Sequence, residues 1–183
     1  MRKNIIWEKN YKKKRFNKYP YNEVVSSTFN LFPDKKRRAK IKVLDLGSGG
    51  GTHAKFFMEE GFQYYAVDGS KTSVKITKTK FNIKKFKKRI VHSQFDNLPF
   101  KNNFFDYVID RNSLTHNSDK ELLIILKDLK RVVKKNGLIL SLVFGNKHSD
   151  FKPISSKSKK GVFKRSGKVN FFTKNKIKRL FKS

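Results

Sequence analysis

Cysteine is absent from the 183 residues, which removes a disulfide framework, a thiolate metal site and a cysteine nucleophile. Alanine stands only at 39, 54 and 66, and acids are scarce: 14 Asp and Glu face 45 Lys and Arg, a formal charge of +31. A field of that sign favours association with polyanions such as RNA, DNA or an anionic membrane face. An A/T-rich coding sequence also yields many lysines without selection for nucleic acid, but it does not account for the missing acids. Long apolar runs are lacking too. The longest, "LILSLVF" at 138 to 144, is about a third of a membrane span, and "MRKNIIWEKNYKKKR" at the N-terminus has no stretch of signal-peptide length. These absences point to a soluble, cytoplasmic protein, and the length suits one compact domain better than two.

What the chain does contain is an alternation of strand-like and helix-like segments. Residues 4 to 18 have a loose helical spacing, and "YPYNEVVSSTFNLF" (19 to 32) reads as a helix entered through Pro20, followed by a basic linker, "PDKKRRAK". Strands are expected at 41–46, 62–68, 89–95, 104–110 and 138–144, with helices at 52–60 and 70–81 between them. A further helix runs from an N-cap at Asn117 or Ser118 to a stop at Gly137. Such an order calls for an α/β fold, a doubly wound, mostly parallel sheet of about five strands with helices on both faces. After Gly145 comes a lysine-rich stretch and a last short helix capped by Thr173. The expected layout is one domain over 1–183: a helical lid and linker (1–40), a ligand-binding core (41–144), and a basic loop with the terminal helix (145–183).

The segment "VLDLGSGGGTH" (43 to 53) ends a strand on Asp45 and then places four glycines within five positions. A phosphate-binding P-loop needs Lys and Ser/Thr directly after its last glycine, and Thr52-His53 does not supply them. The dinucleotide pattern asks for glycine at its sixth position, where Thr52 stands, so the match is weak. An Asp-x-Gly-x-Gly-x-Gly loop remains, in which glycines let backbone N–H groups approach an adenosine-type ligand. Asp68 follows about 20 residues later at the end of the second strand, where a carboxylate accepts both hydroxyls of a ribose. Asp68 alone leaves open a nicotinamide dinucleotide or S-adenosylmethionine.

Five segments in order resemble the class I S-adenosylmethionine-dependent methyltransferases, in particular the small-molecule type of the methyltransferase-11 and -25 groups. They are "VLDLGSGGG", "FQYYAVDGS", "FDNLPFKNNFFDYVID", "LKRVVKKNGLIL" and "VNFFTKNKIKRLF", and the resemblance runs from residue 7 to about 182. It implies S-adenosylmethionine as donor, S-adenosylhomocysteine as product and a Rossmann-like fold. Gly47, Ser48 and Gly49 would line the methionine moiety beside Asp45, and Asp68 with Gly69 would hold the ribose. The adenine would sit against Gln94 and Phe95, where the family commonly has an acid; Asp96 is a fallback. Ser48 replaces a frequent cysteine and Asn136 a frequent proline.

Methyl transfer requires alignment, desolvation and, where needed, removal of a proton from the acceptor. "DRNSLTH" (110 to 116) follows the fourth strand. There Asp110 is a donor-site candidate, Arg111 either holds an anionic substrate or pairs with an acid, and His116 is either the general base or an ordinary loop histidine. Trp7, Tyr11 and Tyr19 belong to a lid or simply pack the first helix. No Asn/Asp-Pro-Pro-aromatic motif stands after the fourth strand, which argues against base-amine methylation, and His53, His92, His116 and His148 lack the spacing of metal ligands, so no metal is expected. The favoured acceptor is a small molecule, such as a sugar or lipid precursor. RNA is the alternative, from the runs "KKKR", "KKRRAK", "KKFKKR" and the 157 to 168 tail, and a non-catalytic adenosyl- or polyanion-binding module is a third. Family members continue into two further strands that this sequence has no residues to build, so the fifth strand is expected to be an open edge or to be covered by a partner or dimer mate.

Overall fold

The computed structural model describes residues 2–79, 84–148 and 169–181. Five parallel strands form one sheet in the order β3-β2-β1-β4-β5: β1 Lys42–Leu46, β2 Gln63–Asp68, β3 Ile90–His92, β4 Phe105–Arg111 and β5 Val133–Leu142. The helices are α1 Arg2–Lys12, α2 Asn22–Leu31, α3 Lys35–Arg38, α4 Ala54–Glu59, α5 Lys71–Thr79, α6 Lys84–Lys87, α7 Asp119–Val132 and α8 Lys174–Phe181. The chain moves outward from β1 through β2 to β3, then returns past β1 to β4. That reversal sets a topological switch point at the carboxyl ends of β1 and β4, where an open α/β sheet gathers its ligands.

Strand periodicity divides the core into two layers. Leu44, Leu46, Val67 and Val108 face α7 and α8 through Leu122, Ile125, Leu129 and Leu180. Val43, Tyr64, Ala66, Tyr107 and Ile109 face α2, α4 and α5 through Val24, Phe57 and Val74. Asp45 shares the second face with Val43, which brings a carboxylate to the end of an otherwise apolar row.

Several expected elements differ in extent. The 33–40 linker contains the turn α3, N-capped by Asp34, which accepts from Lys36 N at 2.9 Å. It is fixed by Arg38, which pairs with Glu60 and donates to Phe32 O at 2.9 Å and Pro33 O at 3.1 Å; one cation of a basic run is thus only 4% exposed. The third strand is shorter than 89–95 because Ser93 N turns back to Asp68 O and Ser93–Phe95 leave the sheet. The long helix starts at Ser118, whose capping box with Glu121 is complete, but it stops at Val132 instead of Gly137. β5 begins at the next residue, because Phe104 N already donates to Val132 O and Phe105 pairs with Val133, ahead of the register shift between Phe105 and Tyr107. Gly137 lies inside that strand, where a Cβ would meet Val133 Cγ1 at 2.6 Å. β5 is the edge strand, with Leu138 and Ile139 exposed; past its end, Gly145 forms a parallel bridge with Phe172. No helix among the described residues is long and apolar enough to cross a membrane. The 157 to 168 tail lies outside the described residues.

Candidate functional site

A cavity of about 410 Å³ opens at the carboxyl ends of β1, β2 and β4. Its floor is the glycine loop. Gly47 N and Ser48 N both donate to Val67 O, which ties the loop to the neighbouring strand. Gly47 has φ +71, and a Cβ there would lie 1.9 Å from Ser113 Oγ, so only glycine lets the loops after β1 and β4 approach this closely. Gly49, with φ +57, donates its N–H to Asp68 Oδ2 at 2.9 Å, and a Cβ there would meet the Tyr11 hydroxyl at 2.8 Å.

Asp68 stands beside this floor, 6% exposed, with Ser70 N donating to its other oxygen at 2.8 Å. Burial pushes its carboxyl up to about 6 against the N–H groups of Ser70 and Gly49 that favour the charge. Gly69 lines the cavity next to it, and Gln94, Phe95 and Asp96 continue the wall at the end of β3, with Phe95 half-buried between two exposed polar residues. Adenine-side and ribose-side candidates therefore lie along one wall.

The residues after β4 separate. Asp110 is fully enclosed and does not line the cavity: its carboxylate accepts from Ser113 N at 2.7 Å, Leu114 N at 3.2 Å and Ser141 Oγ at 2.7 Å. It shapes the turn from behind, and burial raises it to about 6 despite these donors. Arg111 lines the cavity without bonding to Asp110; its guanidinium lies 3.8 Å from the centre of the Tyr21 ring, a cation–π contact. His116 lines the cavity at the opposite side, edge-on to Trp7 with ring centres 4.9 Å apart.

The N-terminal segment forms the roof. Glu8 on α1 accepts from Ser70 Oγ at 2.6 Å, from Thr72 N at 3.2 Å and from the Thr72 hydroxyl. Burial opposes the charge of Glu8, but these bonds and Lys12 outweigh it and bring the carboxyl down to about 2. Tyr11 is pressed onto Gly49 and Phe16 onto Gly50, while Thr52 Oγ1 donates to Asn17 O at 3.0 Å. Burial, then the nearby Asp68 and Asp45, raise the Tyr11 phenol. Tyr19, by contrast, is 75% exposed.

Two buried polar atoms among the described residues have no hydrogen-bond partner, Ser48 Oγ and His53 Nε2. Both residues line the cavity. His53 Nδ1 is 3.2 Å from Asp45 Oδ2, which also accepts from the Tyr64 hydroxyl at 2.9 Å. The sequence reading considered His53 only as a metal ligand and missed Tyr21 and Glu8. A hint existed for His53, since period-2 alternation and parallel pairing set Asp45 beside β2 just below the helix that His53 opens. Taken together, a glycine floor that no side chain fits, a ribose-ready carboxylate and orphaned polar atoms match an adenosyl ligand with a polar tail.

A family model described as a methyltransferase domain matches residues 44–141. The ubiquinone biosynthesis O-methyltransferase of Pelagibacter ubique (strain HTCC1062) is 27% identical over 118 residues, which is 64% of this chain and 48% of that protein. The chain thus spans about half the length of this curated relative. Among solved structures, the PH0226 protein from Pyrococcus horikoshii OT3 is similar with a TM-score of 0.53 at 26% identity, over 70% of this chain and 63% of that one. A complex between the Haloferax volcanii Trm112 methyltransferase activator and a methyltransferase contains a chain similar over 96% of this one and 74% of its own length, with a TM-score of 0.64. At 14% identity that likeness is one of fold.

Proposed function

Because the chain belongs to the methyltransferase-domain family of class I S-adenosylmethionine-dependent enzymes, we propose that it transfers a methyl group from S-adenosylmethionine to a hydroxyl of a small molecule. The observation that carries this reading is the pairing of Asp68 with the glycine loop inside one cavity, through the 2.9 Å bond from Gly49 N. When bound, the donor supplies an electrophilic methyl on a positively charged sulfur, which an acceptor displaces in line. Asp68 and Gly69 hold the ribose, Gln94 and Phe95 the adenine edge, and Gly47 and Gly49 leave room for the sulfur-bearing chain.

The rest of the cavity acts on the acceptor. Trp7, Ile124, Ile125 and Phe144 give it apolar walls that exclude water. His116 takes the proton as the acceptor oxygen bonds to the methyl, so the product leaves as a neutral ether. The O-methyltransferase name of the Pelagibacter relative supports an oxygen acceptor. The cavity lining also favours a small molecule over RNA. Its cations are Arg15 and Arg111, with no lysine among them. The α3 run lies before β1, at the end of the sheet opposite the cavity.

Calorimetric titration with S-adenosylhomocysteine, joined to a turnover screen of hydroxylated metabolites and of RNA, tests the proposal. Wild type is expected to bind, Asp68→Ala to lose at least about tenfold in affinity, and turnover to fall on a metabolite pool. Unchanged binding in Asp68→Ala refutes the ribose assignment, and turnover on RNA alone refutes the acceptor class.

A further inference from the structure

The order of strands dictates how an adenosyl donor lies. Ribose at Asp68 sits at the end of β2, and adenine extends toward the end of β3, where Gln94 and Phe95 stand. The other half of the ligand must then run the opposite way, over the ends of β1 and β4. The wall it meets there carries His53 and Arg111. We propose that these two residues read the amino-acid end of the donor: His53 Nε2 accepts a hydrogen bond from the α-ammonium, and the Arg111 guanidinium faces the α-carboxylate. This rests on the donor reading above and adds specificity for a charged tail to it.

His53 is suited to that role by its surroundings. It opens α4 directly behind the glycine loop and is 3% exposed. Asp45 Oδ2 accepts from the Tyr64 hydroxyl at 2.9 Å and lies 3.2 Å from His53 Nδ1, so the imidazole carries its proton on Nδ1 and turns a lone pair outward from Nε2. That lone pair has no partner among the described residues, and an unpaired buried acceptor is costly unless a ligand satisfies it.

The cation stands on the same wall. The His53 ring lies 5.9 Å from the Tyr21 ring, centre to centre, and Tyr21 carries the Arg111 guanidinium on its face at 3.8 Å. One aromatic ring thus separates an acceptor lone pair from a positive charge, which is the complement of a zwitterionic amino acid. Asp45 becomes a positioning residue that acts through His53, and Arg111 serves the donor instead of an anionic acceptor.

Two probes isolate the claim: S-adenosylhomocysteine, which has the amino-acid end, and 5′-methylthioadenosine, which keeps the adenosyl thioether and lacks it. Affinities of both are measured by calorimetry on wild type, His53→Ala, His53→Gln and Arg111→Met. His53→Ala and Arg111→Met are expected to weaken S-adenosylhomocysteine about 10- to 100-fold and 5′-methylthioadenosine less than about twofold. His53→Gln, whose amide oxygen can accept the same N–H, is expected to recover part of the loss. Equal loss of both probes, or no loss of the first, overturns the inference while leaving the adenosyl site intact. A wild type that binds neither probe overturns the donor reading itself. If His53→Ala fails to fold, Arg111→Met, on a half-buried side chain, reads the same ratio.

Discussion

Asp68 and Asp110 are both raised to about 6 by burial, yet they do different work. Asp110 is a turn-former with three donors behind the cavity, whereas Asp68 keeps its carboxylate at the cavity wall. In the unfolded chain both ionise near the ordinary value of 3.8, so the folded protein holds more protons between that value and about 6. Their contribution to stability is therefore present below pH 3.8 and is lost as pH rises through about 6. Donor binding runs the other way, since only the ionised Asp68 accepts from two ribose hydroxyls. Denaturant midpoints measured from pH 4.5 to 7.5 should fall across this window. Affinity for S-adenosylhomocysteine should rise across it, by close to tenfold per pH unit below about 6. An affinity that is flat with pH contradicts Asp68 as the ribose acceptor.

Among the elements, α7 and α1 are held by different means. α7 carries a complete capping box and four buried residues, Leu122, Ile125, Leu129 and Val132, against the sheet. Ser118→Ala removes the acceptor for Glu121 N and is expected to cost about 1 kcal/mol, read as a lowered denaturant midpoint with donor affinity unchanged. Its effect stays local because the box lies outside the cavity lining, although Glu121 itself belongs to that lining. α1 depends instead on polar anchors beyond its own sequence. Glu8 reaches residues directly after Asp68, and Tyr11 rests on Gly49, so the roof is fastened to the same loops that hold the ligand. The α3 turn is a third case, where Arg38 is withdrawn from a basic run to close the gap between Phe32 and Glu60.

Across the whole molecule, 45 basic against 14 acidic residues set up self-repulsion that the few acids only partly offset. Described ion pairs concentrate at joints between elements: Arg38 with Glu60, Lys134 with Asp106, and Lys176 with Asp119. Screening is therefore expected to stabilise the fold on balance. Raising salt from about 0.05 M to about 0.5 M should raise the melting temperature, because the Debye length shortens while the paired contacts sit closer than it. A fall in melting temperature would mean that these joint contacts outweigh the repulsion.

The sequence by itself determined the strand–helix alternation, the parallel sheet and the position of the ligand loop. These follow from local rules: apolar period, glycine breaks and an acid at a strand end. It also marked Asp68, Gly47 and Gly49 as neighbours of one ligand, because their spacing places them on adjacent strand ends. It misjudged where α7 ends, since Gly137 looks like a helix stop until Val133 is seen paired with Phe105 across the sheet. It grouped Asp110 with the cavity, because sequence cannot tell which way a strand-end carboxylate turns. Tertiary structure alone decided that Arg111 lies on Tyr21, that Glu8 fastens the roof, and that His53 faces the cavity with Asp45 behind it. Those contacts join residues 8 to 90 positions apart, and side-chain direction at such range is set by packing of several elements at once.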